Sequence, residues 1–215
     1  MSLSIGVTKL GDCQIDPSAR LRAGVVIGKP FRKLLDGSEE VPTITILAEN
    51  VDVGYYSIVG TGCRIGPETI IDDHCIVESR VEIGRRNLLI YRSHLCNDVR
   101  IGNDCIIGGF VGERTVIGNS CRIFGQIVHL QTNPLIGWDN DSAEEEAPVV
   151  KDYAFIGFGA IVAGSVTIGR KSYVCAGARV TKNVPDYHIA AGSNEIRHFM
   201  DWKGRLSSSP FFRDE

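Results

Sequence analysis

The chain has 215 residues, a formal net charge of −3 and 43% hydrophobic residues. That charge is too small and too mixed to favour nucleic acid or an anionic membrane as a partner. The apolar runs are only a few residues long, which excludes a membrane-spanning helix, and the N-terminus lacks the charged segment and apolar core of a secretory signal, so a cytoplasmic location is expected.

Residues 1–13 show no register. Ile15, Leu21 and Ile27 are then spaced by six, with Ala19 and Val25 at small positions, which predicts a first partial coil over 15–28. The segment 29–42 has Pro30 and Pro42 near its ends and mixed charge between them, and reads as an exposed excursion. From Leu47 to Ile107 an aliphatic residue recurs at every sixth position: Leu47, Val53, Val59, Ile65, Ile71, Val77, Ile83, Leu89, Leu95, Ile101 and Ile107. Ordinary composition would produce such a run about once in 10^5 trials.

Each hexad carries a small or short residue at its fifth position and often Gly, Asp or Glu at its second. Neither the helical period of 3.6 nor a strand period of 2 yields this unit, whereas a short strand followed by a tight corner does. Three units close a triangular coil of 18 residues, and stacked coils set like residues over like at ~4.8 Å spacing. Cys63, Cys75, Cys105 and Cys121 all fall at the fifth position, so they read as small buried hydrophobes; no CxxC or Cys/His ligand spacing is present. Asn87 stands where a small apolar residue is wanted, and either joins an internal amide ladder or faces a cleft.

The rhythm slips between Ile107 and Ile117, where Gly108, Gly109 and Gly112 permit a corner adjustment, and resumes at Ile117 and Ile123. The next aliphatic is due at 129, where His129 stands. An imidazole there is either a locally hydrogen-bonded corner or a catalytic base. Residues 129–148 have no six-residue pattern and predict an inserted loop, the usual place for function on a rigid scaffold. The repeat returns at Val150, Ile156, Val162, Ile168, Val174 and Val180. About seven coils are expected, a stack ~34 Å tall.

From Asn194 the composition predicts a short helix, with Asn194 as N-cap and Gly204 as stop, lying across the last coil. The tail beyond it is expected to be ordered only by contacts with neighbours. The predicted organisation is therefore one β-helix domain over 1–193, with the excursion at 29–42 and the loop at 129–148, followed by a helix and tail over 194–215. His74 and His94 lie within regular hexads and read as surface or corner residues, while His188 and His198 fall in the C-terminal cap.

The residues that carry a resemblance lie in the last third of the chain: His129 before an irregular loop, then Pro-Val-Val at 148–150, IGFGAIVAGSVTIG at 156–169 and VCAGARVTKNVPDYHIAAGSN at 174–194. This stretch resembles the hexapeptide-repeat acetyltransferases, in particular the galactoside and maltose O-acetyltransferase type. The resemblance implies an all-β fold, a left-handed parallel β-helix working as a homotrimer with sites between subunits. It further implies acetyl-CoA as co-substrate, His129 as general base, and transfer to a hydroxyl or amine of a small acceptor such as a sugar or nucleotide-sugar. Phe158, Ala176, Thr181 and Lys182 match positions lining the family's coenzyme A groove, and Arg197 is a displaced match for a contact to the 3′-phosphate. Gly159 and Gly177 join them because small residues admit close approach to the backbone. The sugar enzymes have Thr-His-Pro where this chain has Val128-His129-Leu130, which weakens a simple galactoside or maltose as acceptor.

Two other readings fit the same coil. A metal protein of the γ-carbonic-anhydrase kind needs three converging histidines, a spacing not found here, so no metal is expected. A catalytically silent structural subunit needs no site at all.

Overall fold

The computed structural model describes residues 6–31, 44–129 and 146–213. Within them each hexad is a strand of two to four residues followed by a corner, and every strand as far as Ile161–Ala163 pairs in parallel with the strand three places on. Thus β1 (Thr8–Lys9) pairs with β4 (Val26–Lys29), β2 (Cys13–Ile15) with β5 (Thr45–Leu47), and β3 (Arg20–Leu21) with β6 (Asp52–Val53). Continued along the chain, this gives three sheets of nine, eight and ten strands, the faces of a three-sided parallel β-helix. We call them the first, second and third face in that order.

The aliphatic at each sixth position points inward and is essentially fully buried, from Leu47 through Ile107 and again from Val150 to Val180. The corners are harder to form. Non-glycine residues at Asn50, Tyr56, Glu68, His74, Arg80, Arg86, Arg92, Asp98 and Asp104 adopt φ between 53° and 63°, a conformation that disfavours L-residues by roughly 1–2 kcal/mol each. Stacking offsets this: the Asn50 N–H donates to Ser18 Oγ (2.9 Å), and the N–H of each of the others donates to a carbonyl of the preceding coil. His74 donates to Tyr55 O (2.9 Å), Arg80 to Thr61 O (2.9 Å) and Asp98 to Ser79 O (3.1 Å). Corner side chains also pair from coil to coil, as Arg80 does with Asp98 and Arg86 with Asp104, both at 2.7 Å.

The four fifth-position cysteines are buried free thiols, as expected. Cys63 Sγ lies 2.8 Å from Glu78 O and Cys105 Sγ 3.1 Å from Gly118 O, and burial pushes the Cys63 thiol up to about 12 and the Cys75 thiol to about 11. Asn87 is internal. Its backbone N–H donates to Thr69 Oγ1 (3.3 Å), its Nδ2 donates to Gly102 O (2.9 Å) and Arg85 O (3.2 Å), and its Oδ1 accepts from Cys105 N–H (2.8 Å).

Three expectations change. The coil begins earlier than the register suggested, since Thr8–Lys9 already pairs with Val26–Ile27, and the strands make close to nine coils rather than seven. The expected C-terminal helix is instead a hairpin: β26 (His188–Ala191) and β27 (Glu195–His198) pair antiparallel. Glu195, Ile196 and Arg197 alternate out, in, out, a period of two that fits the open edge of the third face better than a helix does. Asn194 is therefore a turn residue at φ 57°, not an N-cap. Beyond it lie only short 3-10 turns, and the tail packs on its own sheet: Phe199 stacks on Phe212 at 4.8 Å, Phe211 meets the edge of Tyr173, and Lys171 Nζ donates to Arg213 O at 2.7 Å. The excursion and the inserted loop fall mainly on residues 32–43 and 130–145, outside the described residues.

Asn87→Val keeps the volume near that of its aliphatic neighbours but strands the Cys105 N–H and the Gly102 carbonyl in the core. Unfolding in urea should show a loss of about 2–4 kcal/mol; a neutral result would mean the amide ladder contributes nothing.

Candidate active site

The slip after Ile107 is a shortened corner. The inward residues Ile107 and Val111 are four apart instead of six, and so are Ile123 and Ile127, all of them fully buried. The coil there has 16 residues: β13 (His94–Leu95) pairs with β16 (Phe110–Val111), which pairs in turn with β19 (Gln126–Val128). Glycine makes the shortening feasible. Gly109 takes φ 125°, and a Cβ on Gly125 would lie 2.5 Å from Ala160 O and 3.1 Å from Gly157 O.

This corrects the reading of His129. The core position belongs to Ile127, and His129 lies two residues beyond it, where the chain turns off the first face. It is half-buried. The equivalent corner positions on successive coils are Ser79, Asn97, Glu113, His129 and Gly164. Ser79 N–H donates to Asn97 Oδ1 (3.0 Å) and Asn97 Nδ2 to Glu113 Oε1 (3.4 Å), so a polar row leads up to the imidazole. On its other side Gly164, whose N–H donates to Val128 O (3.0 Å), supplies no side chain to cover the ring.

Most of the sequence-derived groove residues lie around the same end of the first face. β22 (Ile161–Ala163) and β25 (Arg179–Val180) continue that face beyond β19, with Ile127 beside Val162 and Val162 beside Val180. Lys182 therefore occupies the corner position of His129 two coils on, ~10 Å along the axis. Lys182 and Thr181 are exposed, and Thr181 is fixed by Asn194, whose Oδ1 accepts from Thr181 N–H and whose Nδ2 donates to Oγ1, both at 2.8 Å.

The opposite edge of this face is made by the corners 157–160 and 175–178. Phe158 is 66% exposed and stacks on Phe124 at 4.6 Å. Its carbonyl accepts from Gly177 N–H (2.9 Å), which sets Gly177 and the exposed Ala176 directly over Phe158 and Gly159. Gly159 (φ 67°) and Gly177 (φ 69°) have no atom within 4 Å of a Cβ position, so the edge is open to a ligand. Arg197 is not brought to this face; it lies on β27 and pairs with Glu195 at 3.0 Å.

A shallow concavity on the second face, lined by Arg64, Glu82, Gly84, Arg100, Gly102 and Val116, carries neither histidine nor thiol. The sequence reading missed one cluster on the first face, Glu78, His94 and Cys96, whose ligand atoms lie within 4.8 Å of one another. Cys96 follows the strand His94–Leu95 directly and Glu78 precedes Cys96 by one 18-residue coil, a spacing visible only once the coil length is used as the ruler.

No protein-family model matches the sequence. The chain is similar to the bifunctional protein GlmU of Heliobacterium modesticaldum, 25% identical over 212 residues that take in 85% of this chain and 44% of the relative. It is likewise similar to GlmU of Koribacter versatilis, 27% identical over 194 residues, 80% of this chain and 41% of the relative. The chain thus spans less than half the length of these curated relatives. Among solved structures it is similar to the polysialic acid O-acetyltransferase OatWY, with 14% identity, 89% of this chain and 87% of that one covered, and a TM-score of 0.44. PerB from Caulobacter crescentus, solved with CoA and GDP-perosamine, shows 20% identity over 86% of this chain and 57% of that one, with a TM-score of 0.26. The fold assignment rests on the strand pairing described above.

Gly125→Val should force the short corner open, since the atoms it would meet are backbone carbonyls of the next coil. A loss of at least about 2 kcal/mol in chemical denaturation is expected, whereas Gly159→Ala, facing open space at φ 67°, should cost only about 1 kcal/mol.

Proposed function

We propose that this chain is a CoA-dependent acetyltransferase of the hexapeptide-repeat type, moving an acetyl group from acetyl-CoA to a hydroxyl or amine of a sugar or nucleotide-sugar. The observation that carries the reading is positional. His129, Lys182 and the open edge at Phe158, Gly159, Ala176 and Gly177 frame one end of a single sheet face, although they are far apart in the chain. Similarity to the GlmU proteins over most of this chain and the ending from Val174 to Asn194 support the same reading.

In this mechanism the pantetheine arm lies along the exposed corners, where glycines allow contact with the backbone, and Lys182 and Thr181 meet its polar groups. Arg197 can serve the 3′-phosphate by exchanging Glu195 for it. The imidazole of His129 accepts the proton of the acceptor hydroxyl or amine as its oxygen or nitrogen attacks the thioester carbonyl. A backbone N–H stabilises the oxyanion; collapse of the tetrahedral intermediate breaks the C–S bond, and the imidazolium returns the proton to the departing thiolate. No covalent enzyme intermediate is required, because positioning two bound reactants already supplies much of the rate. The same reading takes in a homotrimer whose neighbouring subunit closes the groove, and a cytoplasmic location. Among the described residues no helix is long and apolar enough to cross a membrane.

Steady-state assays of CoA release with a panel of sugars, nucleotide-sugars and amines test this. His129→Ala should lower kcat by at least ~10^2-fold with little change in KM for acetyl-CoA. Lys182→Ala should do the reverse, raising that KM about 10-fold at nearly constant kcat, as loss of one charge-assisted contact implies. Unchanged turnover in the histidine variant would overturn the assignment.

A further inference from the structure

The cluster Glu78, His94 and Cys96 has no part in the transfer reaction just described, yet its construction is specific. β10 (Ile76–Val77) and β13 pair in parallel, Val77 beside Leu95, and Glu78 N–H donates to Leu95 O at 2.9 Å. Glu78 and Cys96 therefore follow equivalent positions on adjacent coils. His94 precedes Cys96 by two residues, so both side chains emerge on the outer side of the first face. His94 Nε2 lies 2.7 Å from Glu78 Oε1. None of the three is a freely solvated surface group: the side chains of Glu78 and His94 are 17% and 33% exposed, and Cys96 is 8% exposed.

The next coil supplies the neighbours of two of these groups. Phe110, on the next coil, meets the His94 ring edge-on at 5.3 Å and holds its orientation. The residue that stacks on Cys96 from that coil is Gly112, which follows Val111, the acceptor of the Cys96 N–H at 2.9 Å. Gly112 adds no side chain beside the thiol, which is 8% exposed. Thiol, imidazole and carboxylate thus converge from adjacent coils, with their ligand atoms within 4.8 Å of one another.

We propose that Glu78, His94 and Cys96 form a zinc site with an open fourth position. The donor set is that of zinc: a soft thiolate and an imidazole disfavour magnesium and calcium, and three protein ligands leave one position for water or an oxygen of a bound small molecule. Bonds of ~2.0–2.3 Å in tetrahedral array place ligand atoms ~3.5 Å apart. Atoms already within 4.8 Å reach that spacing by side-chain rotation, the histidine and carboxylate opening slightly to admit the ion. The site shares its face with His129 two coils on, so the ion would sit ~10 Å along the axis from that imidazole. The inference does not depend on the acetyltransferase reading.

The test uses the full chain, stripped with a chelator and titrated with zinc in competition with a chromophoric chelator, then with cobalt(II). One tight zinc per chain is expected, and cobalt should give thiolate-to-metal charge-transfer absorption. Affinity should fall more than ~10^2-fold in Cys96→Ser and His94→Gln, exceeding what loss of an outer partner costs, and the charge-transfer band should vanish in Cys96→Ser. His129→Ala and Cys175→Ser should retain the full zinc equivalent. Circular dichroism checks folding; should Cys96→Ser fail to fold, His94→Gln and Glu78→Gln, whose side chains reach the surface, decide the matter. Sub-stoichiometric zinc in the parent protein, or tight binding that survives in the folded variants, would overturn the proposal.

Discussion

The fold depends on one constraint, the inter-coil hydrogen bond between strands that are three apart. Every strand is so short that it contributes only a few backbone bonds, and the corners between strands hold residues in a conformation that L-amino acids resist. Each coil is therefore made stable by its neighbours above and below. That is why the six-residue spacing is so strict: a shift of one residue would turn the inward aliphatics outward and leave the corner N–H groups without their carbonyls.

The same strictness explains how a small irregularity acquires consequences. Two corners shortened by two residues each, at Gly108–Gly109 and at Phe124–Gly125, leave the core aliphatics in column but move everything after them along the face. Ile127 fills the interior place and His129 is delivered to the corner. The same shortening puts Gly112 over Cys96. The irregularity is a subtraction at the corners, while the packed interior stays unchanged.

Much of the architecture was legible because side-chain size repeats with the coil. The inward aliphatics, the buried cysteines and the place of the second regular block follow directly from spacing. Asn87 was legible only as an anomaly, and its four hydrogen bonds decide it as an internal ladder. Chain ends were read poorly. At the start the strand Thr8–Lys9 lacks an aliphatic in phase, and at the end Glu195–His198 is a hairpin strand whose composition suits a helix equally well, so that tertiary pairing overrides local preference. The hand of the coil came from resemblance, since the six-residue period is the same for either hand. His129 was singled out for a reason that does not hold, because counting by six ignores a corner of four. The Glu78, His94 and Cys96 cluster escaped notice because Glu78 is a neighbour of the other two by coil and not by sequence.

The central claim is that a groove for coenzyme A runs between the open corners at Phe158 and Ala176 and the corner bearing His129. Diffraction from crystals grown with coenzyme A tests it most directly. The account predicts the pantetheine arm along Gly159 and Gly177, with its sulfur facing the His129 imidazole across a space wide enough for an acceptor. Coenzyme bound on another face, or an imidazole closed off from that sulfur by the residues after it, would contradict it.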